Sequence, residues 1–179
     1  MTLDVMVDIE TLGSQSYSTI LSIGAVRFNI NTGDIYDPFY KKITLQSNLD
    51  LGFKITPSTL KWWLQQNHQT LDDLLDSTED IRSVLISFQH YLLAIDVRAI
   101  WGNSARFDLG LLQNAYDKLG IQIPWDFRKE RCYRTIVQET GGVDKTKYVG
   151  VQHNALDDCM NQVAILIDRY KYFTNPEKF

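Results

Sequence analysis

The sequence is poor in the residues that build disulfide-stapled or zinc-held proteins. Its 179 residues include two cysteines, Cys132 and Cys159, and no CxxC pair. Neither a disulfide framework nor a zinc-ligand pattern is therefore present, and both read as ordinary thiols. No apolar run approaches the roughly 18 residues that a membrane span needs. The start, MTLDVMVD, carries an early acid and no basic segment ahead of an apolar stretch, so a cytoplasmic protein with no membrane partner is the default expectation. The four prolines are scattered and no repeat or low-complexity tract appears, so residues 1–179 are expected to form a single domain.

Positive charge is also in short supply: 18 Lys and Arg stand against 22 Asp and Glu, a net charge of -4. That balance argues mildly against gripping long nucleic acid by charge alone, because such binding neutralises many phosphates. It leaves room for a site that holds one chain end, and acids used as metal ligands lower the formal charge by themselves.

What the chain does have is 44% hydrophobic residues, enough for a full core at this length. Residues 3–9, 20–29 and 35–44 read as three strands in a meander, the last two joined by the turn Asn31-Thr32-Gly33-Asp34. Thr56-Pro57 looks like an N-cap followed by proline at the first helical position, opening a helix through Trp62, Trp63 and Gln66. Ser77 to Asp80 opens a longer helix, in which Ile81, Val84, Leu85, Phe88, Leu92 and Ile95 recur at spacings of three and four. A short strand is expected over 97–101, a helix over 107–119 closed by Gly120, and a short helix over 132–140 stopped by Gly141-Gly142. The last helix runs over about 154–170 and buries Ala155, Cys159, Val163, Leu166 and Ile167. Strands followed by alternating helix and strand predict an α/β protein with a mixed sheet flanked by helices.

Against this background the stretch LDVMVDIETLGS stands out, because an apolar strand ends on two acids. Side chains at i and i+2 of a strand share a face, so Asp8 and Glu10 stand side by side. Two such carboxylates repel by several kcal/mol at low dielectric unless one is protonated or a cation lies between them. Oxygen ligands with no cysteine or histidine beside them suit Mg²⁺ or Mn²⁺. The plainer alternative is that the strand ends at Ile9 and both acids are solvated. Asp108, in WGNSARFDLGLL, sits on the first turn of a helix, where the plainer reading is helix capping.

HNALDD, residues 153–158, is more informative. Inside one helix, His153 and Asp158 would point about 140° apart. Asn154 is a good N-cap, with Asp157 three residues later, so the helix is expected to start at Asn154 and leave His153 on the preceding loop, free to lean over the same site as Asp158. Asp157 then reads as a cap partner rather than a ligand.

Asp8-Ile9-Glu10, then Asp108 after Asn103 and Phe107, then His153 with Asp158 five positions on, resembles the three-motif pattern of the DEDDh 3′→5′ exonucleases, the group of ribonuclease T, oligoribonuclease and proofreading subunits. The order spans about 150 residues, from Asp8 to Asp158. Trp101-Gly102-Asn103 with Trp62-Trp63 is similar to the short phage and prophage exonucleases and their mycobacterial exoribonuclease relatives. One departure is that Asn103 lies five residues before Asp108, where many DEDDh enzymes have four.

The resemblance implies a ribonuclease H-like fold with a five-stranded mixed sheet, whose fifth strand would have to lie near 125–131. It further implies a 3′→5′ exonuclease acting on the 3′ end of single-stranded nucleic acid, RNA or DNA, with two divalent cations. Asp8, Glu10, Asp108 and Asp158 would be the metal ligands and His153 the general base, a role suited to an imidazole. By that resemblance Thr11 and Leu12 would touch the terminal nucleotide. On the residues themselves, Asn103 joins them, and Phe107 either stacks on a base or packs in the core. Of Trp62 and Trp63, which point about 100° apart in a helix, one is expected to be buried and the other, assigned as Trp63, to line the substrate groove. Leu12 would act as an apolar wedge, and where Phe107 reaches a base its ring would give a sequence-independent stacking face. Arg128, Lys129, Arg131 and Arg134 are the one local basic cluster, and a homodimer stays open. Two rivals remain from the sequence alone. One is a haloacid dehalogenase-type phosphatase, because VMVDIET superficially matches DxDxT. The other is a non-catalytic nucleic-acid-binding module of the same fold.

Overall fold

The computed structural model describes residues 2–66, 68–142 and 148–174. Among them, five strands form one mixed sheet in the order β3-β2-β1-β4-β5. β1 (Thr2–Thr11), β2 (Ile20–Phe28) and β3 (Ile35–Lys42) are the expected antiparallel meander. β4 (Asp96–Gly102) and β5 (Glu130–Cys132) add in parallel on the other side of β1. Every residue of β2 is buried, which is why it reads as a continuous apolar run rather than an alternating one. β3 is the edge, and it carries Pro38 beside a break in register, where a missing N–H costs no ladder bond.

Among the described residues, seven α-helices accompany the sheet: α1 (Leu45–Asp50), α2 (Pro57–Trp63), α3 (His68–Leu75), α4 (Ile81–Leu93), α5 (Ala105–Leu119), α6 (Tyr133–Glu139) and α7 (Ala155–Thr174). α4 and α5 cover one face, packing Val84, Phe88, Leu109 and Leu112 on Val5, Val7 and Ile9. α6 and α7 cover the other, where Tyr133, Cys159, Val163 and Leu166 meet Met6, Val26, Phe28 and Trp101. A third cluster, Leu12, Leu21, Trp63, Leu71 and Leu74, closes one end of the sheet under α2 and α3. At about 1.5–3 kcal/mol per fully buried large apolar side chain, these clusters dominate the stabilisation. A buried charge has to be paired within them: Asp4, 1% exposed, accepts from Arg98 Nε at 2.6 Å and from Trp101 Nε1 at 2.7 Å.

Several expectations shift. The fifth strand is the three residues of β5, while Phe127–Lys129 form a 3₁₀ turn opened by Asp126, whose Oδ1 accepts from Arg128 N at 2.9 Å. That local side-chain bond competes with the ladder and shortens the strand. The helix after Pro57 ends at Trp63 instead of Gln66, and Ile95 lies past the end of α4. α1 and α3 were not anticipated. α1 is six residues long and buries one side chain, Asn48, whose amide brackets the backbone of Ile20 (Oδ1 from Ile20 N at 2.9 Å, Nδ2 to Ile20 O at 3.0 Å). It therefore has no apolar stripe to read.

Candidate active site

The parallel β1–β4 ladder runs from Thr2 to Met6, and β1 continues beyond it to Thr11. Asp108, on the first turn of α5, bonds to both strand ends. Its Oδ1 accepts from Ile9 N at 3.3 Å and its Oδ2 from Asn103 N at 2.6 Å. The close approach needs Gly102, because a Cβ there would lie 3.0 Å from Asp108 Oδ2. Asn103 thus acts on Asp108 through its backbone amide, and its carbonyl accepts from Arg134 Nη2 at 2.9 Å.

Asp8 and Glu10 share the face of β1 that carries Met6, toward α7. Opposite Asp8 in the ladder is Gly24. A Cβ at Gly24 would fall 2.3 Å from the carbonyl carbon of Ala155, so the first turn of α7 rests directly on the backbone of β2. Cys159 Sγ donates to Gly24 O at 3.3 Å at the same contact. Glycine inside a strand marks such an approach, and this one carries Asp158 over the sheet.

The start of α7 is built as the sequence predicts. Asn154 Oδ1 accepts from Leu156 N at 3.1 Å and Asp157 N at 3.2 Å, leaving His153 on the loop at φ 65°. Asp157 does not join the acids, and it reaches further back than a capping-box partner, accepting from Val151 N at 2.8 Å. Asn161 brackets Val149 (N to Oδ1 2.9 Å, Nδ2 to O 2.7 Å), and Tyr148 OH lies 2.9 Å from Asp158 Oδ1. Three polar side chains of α7, those of Asp157, Asp158 and Asn161, therefore fasten the loop that bears His153.

Glu10, His153 and Asp158 each offer a ligand atom, and these atoms lie within 4.8 Å of one another. The imidazole also meets Trp62 and Trp63 edge-on, at centroid distances of 4.9 and 5.7 Å. A cavity of about 770 Å³ opens here, lined among others by Asp8, Glu10, Asn103, Tyr148, His153 and Gln162. It is large enough for a nucleotide-sized ligand.

The carboxylates strain against each other. Burial, then repulsion from Asp108, Glu10 and Asp158, holds Asp8 well above the usual carboxylate range. Burial, with repulsion from Asp158 and Asp108, pushes Glu10 up to about 8. Burial lifts Asp108 to about 7 even though the amides of Asn103 and Ile9 favour its charged form. Asp158 is also raised by burial, against its bonds to Tyr148 and the pull of His153. Four carboxyls gathered out of water, offset only in part by His153 and Arg134, are the signature of a cation site. The carboxylate oxygens of this set fit a hard divalent cation, and the imidazole lies beside them.

A consequence can be measured without substrate. A carboxyl whose folded pKa lies above its unfolded value binds its proton more tightly when folded, so its contribution is complete below about pH 4 and disappears as pH climbs through the folded value. With Glu10 at about 8 and Asp108 at about 7, the chelated protein is expected to lose stability steadily between about pH 4 and 8. Saturating Mn²⁺ or Mg²⁺ should flatten or invert the trend. Calorimetric melting at several pH values, with EDTA and with Mn²⁺, checks this; parallel curves would contradict it.

The five principal residues predicted from sequence thus meet at one place, whereas the substrate residues divide. Asn103 lines the cavity, and Phe107 is half-buried against the α4–α5 core. Leu12 is not placed as a wedge: it is 1% exposed, its N–H donates to Thr19 O at 2.9 Å and its carbonyl accepts from Thr56 N at 2.7 Å. Trp63 is the buried tryptophan, 1% exposed, with Nε1 donating to Thr11 O at 2.9 Å, while Trp62 is 40% exposed. Adjacent helical positions point about 100° apart, and the pull of the Leu12 cluster decided which one faces inward. Thr11 is also buried, with Oγ1 donating to Gly13 O at 2.6 Å. Of the basic cluster, Arg134 alone bonds to a cavity residue, Asn103.

Sequence reasoning missed Gln162, whose Nε2 donates to Asp8 Oδ1 at 2.7 Å, as well as Tyr148, Gly24 and Gly102. Gln162 had a signal, one helical turn beyond Asp158. Gly24 had one as well, a glycine inside ILSIGAVRF. Tyr148 had none.

The family model for the 3′-5′ exoribonuclease Rv2179c-like domain matches residues 3–168. The chain belongs to this family. It is a 3′→5′ exonuclease with the ribonuclease H-like, five-stranded fold. It is 20% identical to the exodeoxyribonuclease of Enterobacteria phage T4, over 94% of this chain and 89% of that one. Among solved structures it is similar to the nuclease domain of 3′hExo, a DEDDh member bound to rAMP (TM-score 0.62, 14% identity, 94% of this chain and 92% of that one). It is also similar to the zinc-bound E. coli ExoI–ssDNA complex (TM-score 0.67, 14% identity, 98% of this chain and 41% of that one). Membership overturns the phosphatase and non-catalytic alternatives. No described helix is long and apolar enough to cross a membrane.

Proposed function

We propose that residues 1–179 act as one exonuclease domain that removes nucleotides from the 3′ end of single-stranded nucleic acid, RNA or DNA, releasing nucleoside 5′-monophosphates. The observation that carries the reading is the convergence of Glu10, His153 and Asp158 within 4.8 Å, with Asp8 and Asp108 electrostatically joined to them. Asp8, Glu10 and Asp158 would hold one divalent cation, and Asp108 with Asp8 a second, Mg²⁺ or Mn²⁺. When bound, such a pair supplies the Lewis-acid chemistry that activates water and stabilises the leaving oxygen.

The chain's own part is positioning and proton transfer. His153, held between its loop and the two tryptophans, takes the proton of the attacking water on a ring nitrogen. The water oxygen bonds to phosphorus, the bond from phosphorus to the 3′-oxygen breaks, and that oxygen takes a proton from solvent. Asn103 and Phe107 remain the proposed nucleotide contacts, together with the Thr11 backbone. The relatives' rAMP and single-stranded DNA ligands support a single-stranded chain end of either sugar type.

The test is to incubate the protein with 5′-labelled single strands of RNA and DNA in Mn²⁺ or Mg²⁺. Stepwise shortening from the 3′ end is expected, and release of an internal fragment would contradict the reading. His153→Ala should slow the reaction by roughly 10²–10⁴-fold while strand binding persists.

A further inference from the structure

Gln162 lies on α7 one turn beyond Asp158, lines the same cavity and is 7% exposed. Its Nε2 donates to Asp8 Oδ1 at 2.7 Å. Its Oε1 is buried and has no partner among the described residues. A buried amide oxygen without a partner is costly to leave in a folded protein, so a site that retains one calls for a ligand-borne donor. We propose that Gln162 is a positioning residue for the cation site: it fixes the orientation of the Asp8 carboxylate through Nε2 and offers Oε1 to a water or hydroxyl that enters with the cation or the substrate.

The residue type suits this task. Asp8 stands among Glu10, Asp108 and Asp158, and any side chain that orients it must donate a hydrogen bond. Lysine or arginine would donate, but would also neutralise Asp8 and compete with a divalent ion. Glutamate would add a fifth negative charge. A neutral amide orients without neutralising, which leaves the charge of Asp8 available to a metal. The position is also pre-set by packing, because α7 is seated on β2 at Gly24 and Cys159, immediately beside Asp8.

The inference rests on the proposed cation site, and the experiment separates the two. Mn²⁺ is titrated calorimetrically into the full-length wild type and into Gln162→Met and Gln162→Lys, and each is also melted in EDTA. Loss of an orienting partner of a metal ligand costs about 10–100-fold in affinity, so Gln162→Met should raise the Kd for Mn²⁺ by at least tenfold. Gln162→Lys should raise it further and at the same time increase the melting temperature in EDTA, because an ammonium relieves the crowded acids. A purely structural role predicts a lower melting temperature and an unchanged Kd. A Kd within twofold of wild type in either folded variant overturns the proposal. Failure of the wild type itself to bind Mn²⁺ would instead overturn the cation-site reading beneath it. Activity at saturating Mn²⁺ supplies a further check, since kcat should recover in Gln162→Met while the metal requirement stays raised.

Discussion

Asp8→Asn is expected to abolish stepwise shortening, by at least about a thousandfold at saturating cation, and to make the cation-free protein more stable. The two effects have one cause. Asp8 meets repulsion from Asp108, Glu10 and Asp158, and it is held there although burial favours its neutral form. Removing one carboxylate from a shared metal site forfeits several kcal/mol of charge stabilisation in the transition state, and each 1.36 kcal/mol is tenfold in rate. The substituted amide can still accept from Gln162, so geometry is preserved while charge is lost. In EDTA the variant no longer needs to bind a proton to remain buried. That requirement grows costlier as pH rises, so the gain in melting temperature should be small near pH 5 and larger at pH 8. Shortening of labelled strands and calorimetric melting across pH measure the two halves. A variant that is both inactive and destabilised at pH 8 would show that Asp8 serves the fold instead of the cation site.

Gly24→Ala is expected to be the most damaging methyl in the sheet. Its Cβ would lie 2.3 Å from Ala155 C and 2.4 Å from Ala155 O, and backbone atoms cannot rotate away as a side-chain tip can. Either β2 or the first turn of α7 has to move. Overpacking of this kind costs about 1–3 kcal/mol, occasionally more. The loss of activity should exceed the loss of stability, because the turn that moves carries Asp158 and anchors the loop of His153, and misplacement by about 1 Å can cost 10²-fold. Gly110→Ala is the control: it lies inside α5 with nothing within 4 Å of an added Cβ, and should raise stability by about 0.5–1 kcal/mol. Comparing kcat with melting temperature in the two variants separates displacement of the site from general unfolding.

Much of this was legible in the chain. The meander, the α4 stripe and the Gly120 stop follow from periodicity and from a positive φ that glycine adopts freely; Gly120 sits at φ 64°. The separation of His153 from the helix of Asp158 followed from capping chemistry alone. β5 was placed approximately, since a three-residue strand next to a 3₁₀ turn has too little pattern to fix its ends. α1 buries one side chain, an asparagine, and α3 is eight residues long with Leu71 and Leu74 as its core contacts, so each offers too short an apolar pattern to read from sequence. Leu12, expected at the substrate from the resemblance, and Trp63, expected there as one of two diverging helical side chains, are both buried in the core end cluster.

The sequence by itself determined which groups could do chemistry: the order of Asp8, Glu10, Asp108, His153 and Asp158, with an N-cap that separates the last two. Residue type and helical or strand period are local properties, so they can be read before folding. Only the tertiary structure decided how those groups meet. That depended on a glycine that lets α7 rest on β2, on Gln162 reaching Asp8, and on Tyr148 reaching Asp158. These contacts join residues 10 to 154 positions apart, and no local pattern encodes a distance that the packing of sheet and helices alone creates.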